Sequence, residues 1–138
     1  MKRERPIPTR DSLPAGWTLA RWDTTKAAIR EVIWARALAD DDPIGYEQLD
    51  QKLKLRGLGV GHQSSTMTGL LNELAEDVHK DAGCWVTTWV VLAGKQYSGK
   101  GLFDYVVPER EWKPLGKTKF CVRERKFARA WIVKNPLT

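Results

Sequence analysis

At 138 residues, 42% of them hydrophobic, the chain is long enough for one domain with its own core. No run of about 18 apolar residues occurs, which excludes a membrane-spanning helix. The basic N-terminus MKRERPIPTRDSLPAGW has no apolar centre and does not read as a secretory signal.

The net charge of +6 lies at the two ends. Residues 1–10 hold four basic and one acidic residue, 11–108 ten and thirteen, and 109–138 nine and three. That distribution suits an acidic partner such as nucleic acid. Two cysteines, Cys84 and Cys121, make no disulfide framework. They read as small buried hydrophobes in a reducing, cytoplasmic setting.

In chain order, residues 1–12 carry four basic residues and two prolines without periodicity, and the expectation is a flexible basic arm. Asp23 or Thr24 is placed to cap a helix running to about Leu38. Ile29, Val32, Ile33 and Ala37 share one face of it; Trp34 and Leu38 share another. The second flank needs a cover, either the Trp17/Trp22 segment or the C-terminal segment. Asp40-Asp41-Asp42-Pro43 ends the helix as a solvated turn rather than a metal site. Residues 43–46 read as a short extended piece, and Leu49 and Leu53 mark a helix over 47–55. Gly57-Leu58-Gly59-Val60-Gly61 lies between two helices, so it lacks the strand that a dinucleotide fingerprint requires.

Met67, Leu70, Leu71, Leu74 and Val78 recur with helical period and predict a helix over 64–80, with Gly83 as its left-handed cap. The β-branched and aromatic run Cys84–Leu92 predicts a strand. Residues 93–101 predict a basic glycine-rich turn and 102–107 a second strand, so that 84–107 forms a hairpin. Lys117–Val133 predicts an extended segment followed by a helix from about Arg123. Phe120, Phe127 and Trp131 lie on one face of it, with Arg125 and Arg129 opposite.

This order of elements resembles the winged helix–turn–helix family over residues 24–107. The segment IGYEQLDQKL (44–53) resembles the xTYGxLAxxL stretch of several such domains, including the DNA-binding half of alkylguanine-DNA alkyltransferases. The Pro-Cys-His-Arg motif of those enzymes is absent, because Cys84 sits in Gly-Cys-Trp and Cys121 in Phe-Cys-Val. Their alkyl-transfer chemistry is therefore not carried over. The expected fold is α+β: a winged helix–turn–helix of three helices and a β-hairpin wing over 13–107, with an extra C-terminal helix. Residues 108–138 form a basic extension packed on the same domain.

The resemblance implies a DNA-binding, non-enzymatic, regulatory protein of phage or bacterial type that takes double-stranded DNA. The expected reading face is the start of helix 64–80: Gln63, Ser64, Ser65, Thr68 and Asn72, whose side chains can bond base edges. That face carries no Lys or Arg, so phosphate contacts fall to Lys95 and Lys100 on the wing and to Arg123, Arg125, Lys126 and Arg129. The alternative is a protein-interaction module that modulates a host or partner protein, with some of the seven tryptophans as anchors.

No cofactor, metal or catalytic residue is expected. Gly94–Lys100 approaches a P-loop, but Gly101 replaces its Ser/Thr and a strand is predicted to follow. His62, His79, Cys84 and Cys121 lack zinc-site spacing. Nothing in the sequence sets an oligomeric state.

Overall fold

A computed structural model describes residues 7–39, 42–61 and 64–137. The elements are α1 (Leu19–Leu38), β1 (Ile44–Gly45), α2 (Tyr46–Leu55), α3 (Ser65–Ala82), a 3₁₀ turn (Val86–Trp89), β2 (Val90–Val91), α4 (Lys100–Tyr105), α5 (Glu109–Trp112) and α6 (Lys117–Lys134). The architecture is helical with one two-stranded parallel sheet, in which Ile44 pairs with Val90 and Gly45 with Val91. No helix among the described residues is long and apolar enough to cross a membrane.

α1 starts earlier than expected because Thr18 caps it, its hydroxyl accepting from the Arg21 amide at 3.1 Å. Both flanks are covered. Trp22 and Ile29 reach the core, and Trp34 is closed over by α6, meeting Trp131 edge-on at 6.0 Å and donating to the Asn135 carbonyl. α3 follows its predicted period: Ser64 accepts from the Met67 amide, Gly83 closes the helix at φ 70°, and Met67, Leu70, Leu71, Leu74 and Val78 are buried. α2 and α3 are separated by residues 56–64, longer than the three or four residues of a helix–turn–helix turn. Asp50 holds that loop by accepting from the Val60 and Gly61 amides at 2.8 and 3.0 Å. Burial acts to raise the Asp50 pKa, but those amides and the Lys54 ammonium outweigh it and hold the carboxyl below its ordinary value.

The hairpin does not form. Every residue from Cys84 to Val91 is buried, and the chain passes among α1, α3 and α6 as a 3₁₀ turn with only two residues of strand. Thr88 closes the turn by donating to the Trp85 carbonyl at 2.6 Å. The β-branched and aromatic run reported burial on all sides, and no long strand lies alongside to make it a ladder. Residues 100–105 are helical. Leu102, Phe103, Val106 and Val107 have the spacing of one helical face, and the first two with Val107 are buried.

α6 corrects a second expectation. It begins at Lys117, with no extended segment before it, and its buried stripe is Phe120, Glu124, Ala128 and Ile132, each four apart. The helix is therefore rotated from the predicted facing: Arg125 is buried and Phe127 is 55% exposed.

The main core joins α1, α2, α3, the 3₁₀ turn and α6. A smaller one gathers Ala75, Trp85, Leu102, Phe103, Val107, Phe120 and Cys121. Both thiols are buried; burial, with Glu124 nearby, pushes Cys84 up to about 11. Of the arm expected over residues 1–12, residues 1–6 lie outside the described set. Residues 7–12 are docked rather than free: the Arg10 amide donates to Glu73, and its guanidinium pairs with both Asp23 oxygens at 3.0 and 3.2 Å. Glu73 also accepts from Trp22 Nε1 and Lys26.

Candidate nucleic-acid interface

The expected reading face is the start of α3. Gln63 lies outside the described residues. Ser64 is engaged as the helix cap, and Ser65, Thr68 and Asn72 are half-buried. The segment entering α4 lies on this face, so close that a Cβ on Gly101 would stand 2.5 Å from Thr68 Cγ2. On the next position the docked arm places the Pro8 carbonyl against Gly69, where any side chain would collide with it. A major groove admits a helix only when its reading face is bare. This face is covered by the chain's own backbone from two directions.

The two wing lysines are exposed but stand on a loop and a helix end, not on a hairpin. Lys95 follows Gly94, whose φ of 71° makes the turn, and Lys100 opens α4. The helix after Gly94–Lys100 restores part of the P-loop context that the sequence denied it. Even so, Gly101 still stands where Ser/Thr is needed, and the Gly99 amide donates at 2.7 Å to the Tyr46 hydroxyl. Burial raises the Tyr46 pKa despite that bond.

The four C-terminal cations separate into two pairs. Arg125 turns inward: Nη1 donates to the carbonyls of Thr88 at 2.9 Å and Gln96 at 3.0 Å, and Nη2 to Gln96 Oε1 at 3.2 Å. Burial draws its pKa down. It ties the 92–99 loop to the core and presents nothing to a phosphate. Arg129 donates through Nε to the Ala37 carbonyl, placing its charge at the C-terminus of α1. Arg123 and Lys126 face outward, Arg123 lying 5.4 Å over the Phe120 ring and 3.5 Å from a Glu124 oxygen.

Sequence reading missed Lys119, Phe127 and Lys134. With α6 begun at Lys117, Lys119, Arg123, Lys126 and Lys134 fall on one solvent face at helical spacing, with Val122, Phe127 and Val133 among them. The signal was present once the helix start was known. The only carboxylate of α6, Glu124, points inward and accepts from the Trp85 amide at 3.1 Å. Burial raises its pKa, with the amide and Arg123 opposing. The outer face of α6 is thus cationic and apolar, and of its cations only Arg123 pairs with Glu124.

The tryptophans do not stand out as anchors. Trp22, Trp34, Trp85 and Trp89 are buried, while the half-buried Trp17, Trp112 and Trp131 pack on Trp22, Phe103 and Trp34. His79 stacks on Trp85 at 3.7 Å, and no group of three His, Cys, Asp or Glu among the described residues is placed to hold a metal. Comparison with protein-family models, with curated proteins and with solved structures returns no match.

Proposed function

We propose that this is a small non-enzymatic protein that binds double-stranded DNA through the exposed face of α6, with Lys95 and Lys100 as accessory phosphate contacts. The observation that carries the reading is the solvent-facing row Lys119, Arg123, Lys126 and Lys134, of which only Arg123 meets the helix's one carboxylate, the buried Glu124, at 3.5 Å. From Lys119 to Lys134 the helix rises about 22 Å, roughly six or seven base-pair steps. The three-helix part of the winged-helix resemblance belongs to this reading as scaffold; the helix resembling a recognition helix serves as core.

Four phosphates neutralised by α6 contribute about −3.6 to the log–log salt slope, and Lys95 and Lys100 about −1.8 more. The test is fluorescence-anisotropy titration of a 20-base-pair duplex at several salt concentrations. Lys119→Ala, Arg123→Ala and Lys126→Ala combined should weaken binding to all sequences alike and flatten the slope by about three units. Lys95→Ala with Lys100→Ala flattens it by about two.

A second reading rests on Val122, Phe127 and Val133, which are 38%, 55% and 53% exposed on the same face. A protein partner with an acidic rim around an apolar centre would cover them. No duplex binding by the wild type at low salt, with a pulled-down protein that resists nuclease and salt, selects this reading.

A further inference from the structure

We infer that Phe127 is a stacking residue for unpaired nucleobases, so that the outer face of α6 takes single-stranded DNA as well as duplex. The inference rests on the reading of that face as a DNA contact. The chain has seven Trp, three Tyr and three Phe residues, and of these only Tyr105 and Phe127 are exposed. Tyr105 lies on α4, outside the cationic row. An exposed phenylalanine by itself is ordinary. What sets Phe127 apart is its position. Arg123 lies one turn before it, Lys126 beside it and Lys134 two turns after it, all exposed. Along the helix axis Arg123 is about 6 Å away and Lys134 about 10 Å. Trp131, one turn on, is half-buried and packs edge-on against Trp34, whereas the Phe127 ring meets no other ring among the described residues.

A single strand presents phosphates together with flat bases whose faces are open to stacking. A duplex hides those faces in its own stack. Cations with an aromatic ring set among them match both parts of a single strand. A base lying on Phe127 takes apolar surface of both rings out of water, while the phosphates on either side of it fall to Arg123, Lys126 and Lys134. An intact duplex engages the cations alone. An acidic protein segment would engage the cations too, but an aliphatic side chain at 127 would serve it as well as a ring, and this separates the two occupants.

The probes are a thymidine strand of about eight nucleotides, within the range of single-strand site sizes, and an abasic strand of the same length and charge. Each is labelled for fluorescence anisotropy and titrated with the full chain at low salt. The thymidine strand should bind about tenfold tighter than the abasic one, the gain expected of one stacked base. Phe127→Leu keeps an apolar side chain at an exposed position and should bring that ratio to about one. The same variant should leave the abasic strand, the duplex and their salt slopes unchanged. Phe127→Trp, with a larger ring, should keep the ratio or raise it. A ratio near one in the wild type, or a ratio that survives Phe127→Leu, overturns the assignment while duplex binding and its salt slope stand. A wild type that binds neither the strands nor the duplex removes the DNA reading, and the stacking residue with it.

Discussion

Arg125→Met separates a structural cation from a binding one. The substitution keeps the aliphatic stem and removes the guanidinium, which makes three hydrogen bonds: to the Thr88 and Gln96 carbonyls and to the Gln96 side chain. Bonds from a charged donor contribute about 1.5–3 kcal/mol each, and the Thr88 carbonyl, buried and newly unbonded, costs about 1–3. Against this, the charge is buried with no carboxylate among the causes that shift it, so removing it relieves several kcal/mol of desolvation. The balance is a destabilisation of about 2–3 kcal/mol. With a urea m-value of about 1.5 kcal/mol/M, the unfolding midpoint should fall by roughly 1.5–2 M. Arg123→Met, on the outer face, should shift stability by no more than about 0.5 kcal/mol. In duplex titrations the order reverses: Arg123→Met weakens binding, and Arg125→Met, measured where it is folded, does not. An Arg125→Met protein with wild-type stability and lost DNA affinity would put the guanidinium on the outside and refute both the burial and the interface built on it.

Glu124→Gln tests the inward carboxyl. Burial raises its folded pKa above the unfolded value, so its contribution is most favourable below about pH 4.5 and is lost as pH rises through the folded value. Glutamine keeps an acceptor for the Trp85 amide and carries no charge. The stability of Glu124→Gln relative to wild type should therefore improve from pH 4 to pH 7 in urea titrations, and a difference that moves the other way removes the desolvation account. Gly69→Ala drives a methyl group into the Pro8 carbonyl and should release residues 7–12 from α3. Trypsin should then cut after Arg10 faster, while the helix preference of alanine, about 1 kcal/mol, offsets part of the cost of the new methyl's 3.1 Å approach to the buried Trp22 ring. An unchanged cleavage rate would mean the arm is not held there.

Local patterns sufficed where one face of one element meets one core. The Met67–Val78 stripe and the Gly83 terminus of α3 are short-range features, and both appear in the structure at the expected residues. The burial of Cys84 and Cys121 follows from the same kind of reading. Composition also placed positive charge at the C-terminal end, where α6 displays it.

What composition and period left open was decided by packing at a distance. Cys84–Leu92 has the residues of a strand, but a strand needs a neighbour, and only Ile44 and Gly45 are there to pair with. The run is buried by α1, α3 and α6, and Thr88 turns it into a 3₁₀ turn. For 102–107 the helical spacing was legible in Leu102, Phe103, Val106 and Val107, but a hairpin expected over the preceding residues overrode it. For α6 the decisive quantity was phase. Arg125 and Phe127 both fit either side of a helix whose start is unknown. Starting at Lys117 and packing along Phe120, Glu124, Ala128 and Ile132 sends Arg125 to the carbonyls of Thr88 and Gln96, 37 and 29 residues away in the chain. Those acceptors exist only once the fold has brought them there, so the sequence by itself determined that the end of the chain is a basic helix, and tertiary packing alone decided which of its cations face the solvent.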